Sequence, residues 1–146
     1  MSDILDRPRA ITTAGAIDTD VHPPLPRQAD LLPYLDPYWR ETFQSRDVDV
    51  LELMSFPERT KPYRRADWVG EGDALAAMQR NLLDPLQLGQ AILNVVSGAH
   101  ALFDPYLSLA VCRATNDWLA DQWLSRDARL RASMLVPFSN VAGAVQ

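Results

Sequence analysis

The strongest constraint in this sequence is an order of elements: strand-sized runs alternate with helix-length patterns. Ile17 to Val21 alternates apolar and polar residues, Gln90 to Val96 is a second strand run, and Ala132 to Val136 is a third. Between the first two lies Ala74 to Leu83, where Leu75, Met78, Leu82 and Leu83 form an apolar stripe. Between the second and third, Pro105 to Leu124 carries Leu107, Val111, Ala114 and Trp118 at helical spacing. Asp73 and Asp104 stand where N-caps belong, and Pro105 takes the first helical position. Pro23-Pro24, Pro85 and Pro137 close the elements that precede them, and Asn140 is placed to cap one more helix. Strands joined by crossover helices imply a parallel sheet in an α/β fold, with the strands neighbouring in chain order.

Two segments stand outside this alternation. Residues 1–16 show no periodicity and read as a disordered leader, which puts the folded domain at 17–146. Residues 25–72 are rich in proline and aromatics, with one helical stretch from Leu35 to Ser45 that aligns Tyr38, Trp39 and Phe43. Connections beyond about 15 residues tend to be functional, so 25–72 is expected to form a lid-like insertion after the first strand, over the carboxyl ends of the strands.

Composition narrows the function classes. The 146 residues match one domain, and 47% hydrophobic with 23% charged residues is a globular balance. No run approaches the roughly 20 apolar residues of a membrane span, and the acidic start has no secretory apolar core, so a soluble cytoplasmic protein without membrane partners is expected. A net charge of −5 argues against a nucleic-acid partner, which calls for a basic face. The basic residues concentrate at Arg59, Lys61, Arg64 and Arg65, where a solvated loop face is the simpler reading than a carboxylate-binding site. The single Cys112, inside a helical pattern, reads as a buried structural thiol. There is no phosphate-binding glycine loop and no nucleophile elbow.

One polar constellation remains: Asp18, Asp20 and His22 alternate along the first strand. Residues two apart on a strand point the same way, so Asp20 and His22 set a carboxylate beside an imidazole at its carboxyl end. Parallel α/β folds build their sites at that end, and these donors suit a borderline divalent metal. From spacing alone, a strand-end carboxylate capping a turn beside a hydrogen-bonded histidine is the favoured reading, because two polar residues on a strand are a weak motif.

The segment Ile17-Asp18-Thr19-Asp20-Val21-His22-Pro23 resembles the opening strand of the amidohydrolase-related family, metal-dependent barrel enzymes that include aminocarboxymuconate-semialdehyde-decarboxylase-like proteins. Further pieces are similar in the same order: Leu32-Pro33-Tyr34-Leu35, Leu83-Asp84-Pro85, Ala91-Ile92-Leu93-Asn94, Asn116-Asp117-Trp118-Leu119, and Arg126 to Arg131 before Val136-Pro137. The resemblance implies the first three strand–helix units of a (β/α)8 TIM barrel. It also implies a metal-dependent hydrolase or non-oxidative decarboxylase of small anionic or aromatic substrates. That family typically carries His-x-His on its first strand; here the positions are Asp20 and His22, similar to the Asp-x-His start of one branch. The implied metal ligands are therefore Asp20 and His22, the cofactor a divalent ion such as zinc or manganese, and Asp18 a supporting carboxylate. The Asn116–Trp118 stretch and the Arg126–Arg131 turn read as structural, and His100 as a minor candidate on a loop.

A barrel of eight units typically has about 250 residues, so the resemblance further implies an N-terminal portion, with the family's other ligands on later strands and no turnover by this portion alone. The non-catalytic alternative is a fragment that binds a partner. Either way an open slice of barrel is expected to be weakly stable and to self-associate as a homo-oligomer or aggregate, with Met78, Leu82, Val111 and Trp118 seeking cover.

Overall fold

The computed structural model describes residues 12–46 and 72–145. Its centre is a three-stranded sheet in the order β1 (Ile17–Val21), β2 (Gln90–Leu93), β3 (Leu130–Ala132), with both pairings parallel. The expected α/β class, parallel pairing and strand order are therefore observed.

The expected third strand is displaced. It runs from Leu130 to Ala132 and shares only Ala132 with the span read from the sequence. The cause is the length of its neighbour: β2 ends at Leu93, whose carbonyl takes the last ladder bond from Ser133 at 3.0 Å. Beyond it, both backbone groups of Leu135 are satisfied by one side chain of the preceding helix. Asn116 accepts from Leu135 N and donates to Leu135 O, each at 2.9 Å. An apolar run signals burial, but here a helix side chain, not a strand, pairs the backbone.

The helices follow their caps. Helix α3 (Ala74–Met78) starts at Asp73, whose carboxylate accepts from Leu75 N, and continues as a π turn over Gln79–Leu83. Helix α4 (Pro105–Leu119) starts at Asp104, which accepts from Tyr106 N and Leu107 N, and continues as a π turn over Ala120–Leu124. Asn140 caps the short α5 (Val141–Ala144) by accepting from Gly143 N.

Within the segment expected to form a lid, α1 (Gln28–Leu31) and α2 (Pro37–Arg46) flank a 3-10 turn, and α1 packs on α4. Leu31, Leu35 and Phe43 are buried in the common core, Gln28 Nε2 donates to Phe43 O at 2.6 Å, and Tyr34 donates to Asp121 at 2.6 Å. The remainder, 47–71, lies outside the described residues, as do the basic cluster Arg59, Lys61, Arg64 and Arg65 and the leader up to residue 11. The last leader residues are bonded to the β2 approach: Thr13 Oγ1 donates to Leu86 O, and Gly15 N to Gln87 O. This crossing depends on two glycines. Gly15 has a φ of 74°, and a Cβ on Gly89 would lie 2.8 Å from Gly15 O.

One face of the sheet is covered. Ala91 and Leu130 share a register position, as do Val21 and Leu93, and all four are buried with Leu83, Val111, Ala114 and Leu119. The alternate positions are open: Ile17 is 57% exposed, and Ile92 and Arg131 are not buried. Met78, Val111 and Trp118 are buried and Leu82 is partly so, which corrects the expectation that they lack cover. The uncovered apolar residues include Phe103, Met134, Phe138 and Val141 instead. Cys112 is buried as expected, and burial pushes its thiol up to about 11.

Candidate functional site

At the carboxyl end of β1 the regular alternation is interrupted. Asp18 pairs with Ala91 and Val21 with Leu93, so three steps of β1 span two of β2. An extra residue of this kind bends a strand and re-aims its side chains. Asp18 Oδ1 accepts from Asp20 N at 3.1 Å and so holds the irregular stretch from within. This is the structural role available to Asp18.

The bend leaves Asp20 and His22 together, with Asp20 Oδ1 3.4 Å from His22 Nε2. Both side chains reach solvent, 74% exposed for Asp20 and 41% for His22. The other ring nitrogen, Nδ1, lies 3.0 Å from the carbonyl oxygen of Asn94, just beyond β2. A carbonyl can only accept, so Nδ1 carries a proton and donates it, which makes Nε2 the nitrogen turned toward the carboxylate.

The second and third strands complete the arrangement. Asn94 Nδ2 donates to Thr19 O and to Asp20 Oδ1, both at 3.0 Å. Ser133, immediately after β3, donates its hydroxyl to Asn94 Oδ1 at 2.6 Å. The polar residue that follows or ends each strand thus joins one lateral chain, from His22 and Asp20 through Asn94 to Ser133. Asn94 and Ser133 were not singled out as site residues in the sequence. The available signal was positional, because each is the first polar residue after the pairing end of its strand.

His100 is placed elsewhere. Its Nδ1 lies 2.8 Å from Ser97 O, its ring meets Phe138 edge-on at 4.6 Å, and its backbone oxygen accepts from Phe138 N. It anchors the chain after β3. Among the described residues no group of three or more His, Cys, Asp or Glu converges as a metal cage. A groove of about 390 Å³ on the helix side is lined by Arg27, Asp30, Asp73, Trp118, Trp123 and Arg126, among others. Its arginines are already paired, Arg27 with Asp30 and Arg126 with Asp73, and it includes neither Asp20 nor His22.

The donor separation can be compared with what a metal requires. Zinc bonds of about 2.0–2.1 Å to nitrogen and about 2.0–2.2 Å to oxygen, near a tetrahedral angle, put two donors about 3.3–3.5 Å apart. The Asp20–His22 separation is 3.4 Å. With Nδ1 protonated, a neutral His22 directs its Nε2 lone pair at a carboxylate, an arrangement that a proton or a cation between them satisfies. The donor set therefore fits half of a divalent metal site.

No protein-family model matches the sequence, and no curated protein matches it. The structure itself defines a mixed α/β protein with a parallel three-stranded sheet.

Proposed function

We propose that this chain forms the opening strand–helix units of a (β/α)8 barrel of the amidohydrolase-related type. In this reading Asp20 and His22 are metal ligands of a hydrolase or non-oxidative decarboxylase acting on small anionic or aromatic substrates. One observation carries the reading: at the carboxyl end of a parallel strand, Nε2 of His22 faces Asp20 at 3.4 Å while Nδ1 is held by a backbone carbonyl. Metal-bound histidines almost always donate their second ring N–H in this way, which fixes the ring and its tautomer.

Here Asp20 and His22 would hold the ion, zinc or manganese by the nature of the donors. Such an ion, when bound, polarises water or a substrate oxygen. The residues of this chain orient and hold: Asn94 fixes the His22 ring through its carbonyl, and Asp18 fixes the backbone of Asp20. Among the described residues these two donors are one short of the three protein ligands usual for catalytic zinc, so the expected behaviour is metal binding without appreciable turnover.

Zinc titration followed by calorimetry tests this directly. One bound equivalent, lost in His22→Ala and Asp20→Asn while thermal melting is unchanged, is the expected result. Equal zinc binding by the two variants and the unaltered chain would remove these residues as ligands.

A second reading has its own observation. Phe103 is fully exposed, and Met134 and Phe138 are 73% and 71% exposed, all after β2 or β3. Surface of this kind suits a partner-binding module, or self-association, rather than a metal site. Metal-free protein that is monomeric only in complex with a partner would favour that reading.

A further inference from the structure

We propose that Asn94 is the positioning residue that holds the Asp20 carboxylate for a divalent cation, and that Ser133 fixes the Asn94 amide in turn. The inference rests on the metal reading of Asp20 and His22 and extends it to residues on the other two strands.

The orientation of the Asn94 amide is determined by its partners. Thr19 O can only accept, so the atom 3.0 Å from it is the NH2 nitrogen, and the second hydrogen of that nitrogen points to Asp20 Oδ1 at 3.0 Å. The amide oxygen then faces Ser133 Oγ at 2.6 Å, which donates. Reversing the amide would set oxygen against oxygen at Thr19 and Asp20 together. Asp20 is otherwise a short, highly exposed side chain, and without this bond its carboxylate would sample several rotamers.

Asn94 also reaches the other member of the pair, but by a different group. Its backbone carbonyl accepts from His22 Nδ1, whereas its side chain holds Asp20. The two functions are therefore separable by mutation. Asn94→Ala removes the hold on the carboxylate and leaves the carbonyl that fixes the His22 tautomer.

The test compares the unaltered chain, Asn94→Ala and Ser133→Ala by zinc calorimetry, by the visible spectrum of bound cobalt(II), and by imidazole 15N chemical shifts. Loss of a group that orients a metal ligand typically weakens the metal by about 10–100-fold, and a loss in that range with an altered cobalt spectrum is expected for Asn94→Ala. Its His22 15N shifts should still report a proton on Nδ1. Ser133→Ala, one bond further away and outside the metal pair, should weaken zinc by a smaller factor in the same direction. It carries the test if Asn94→Ala does not fold. Unaltered zinc affinity and an unaltered cobalt spectrum in the folded variants would overturn the positioning role. If the unaltered chain itself binds neither zinc nor cobalt, the metal reading falls and this inference falls with it. That result is seen before any substitution is made, so the two failures are distinct.

Discussion

The two ends of the sheet carry charged and polar groups in opposite ways. At the amino ends of β2 and β3, Asp127 and Arg129 are joined twice, Nε to Oδ1 at 3.0 Å and Nη2 to Oδ2 at 2.7 Å. Arg129 also reaches Asp84 at 2.8 Å, and Gln79 donates to Asp127 at 3.0 Å. The Asp127 side chain is only 8% exposed, and the Arg129 bonds hold its carboxyl well below the usual carboxylate range. At the carboxyl ends, Asp20 and His22 make single bonds and lie open to solvent. One end satisfies its charges internally and ties two loops together. The other leaves an imidazole nitrogen and a carboxylate facing each other with nothing of the protein between them. That is the division expected of open parallel α/β sheets, whose ligands bind beyond the carboxyl ends of the strands.

The sharpest way to break the comparison is to exchange the predicted effects. His22→Ala should reduce zinc affinity by at least about 100-fold, or about 2.8 kcal/mol, while its urea midpoint stays close to that of the unaltered chain. Asp127→Ala should do the reverse. Losing charge-assisted bonds and leaving Arg129 half paired should cost about 2–3 kcal/mol of stability in urea unfolding, with zinc affinity unchanged. A variant that moved both quantities together would show that the two ends are not independent.

Acid sharpens the same contrast. A carboxyl whose folded-state pKa is depressed stabilises the protein above its unfolded value, near 3.9, and the contribution is lost as pH falls through the folded value. Asp127 is such a group, with Arg129 as the main cause. Stability should therefore decline below about pH 4, and Asp127→Asn should flatten that decline. An identical acid profile in the variant would place the sensitivity elsewhere. The smallest effect is expected from a helix cap. Asp104→Ala removes two N-cap bonds from α4 and should cost about 1 kcal/mol by thermal or urea melting, without altering zinc binding.

Much of this architecture was legible because it is written in local chemistry. The caps Asp73, Asp104 and Asn140 each accept the backbone N–H groups that their positions imply. Leu75 and Met78 on α3, and Val111 and Trp118 on α4, lie on the apolar stripes read from helical spacing and are buried, although an open barrel slice was expected to leave Met78, Val111 and Trp118 without cover. The displaced third strand shows where such reading fails. Ala132 to Val136 has strand-like residues, but a strand is defined by its partner, and the partner ends at Leu93 while Asn116 takes over Leu135. The site was half legible for the same reason. Asp20 and His22 are two apart in sequence, whereas Asn94 meets them across 72 and 74 residues and Ser133 meets Asn94 across 39.

The sequence by itself determined the order of the three strands, the capped helices between them and the presence of a carboxylate–imidazole pair at the end of β1, because propensity, capping and period-2 alternation act within a few residues. The tertiary structure alone decided where β3 ends, that β1 is irregular between Asp18 and Val21, and that His22 turns Nε2 rather than Nδ1 toward Asp20. Each of those depends on a backbone group brought from another strand or helix. A hydrogen bond has no signature in sequence until the fold places its second partner.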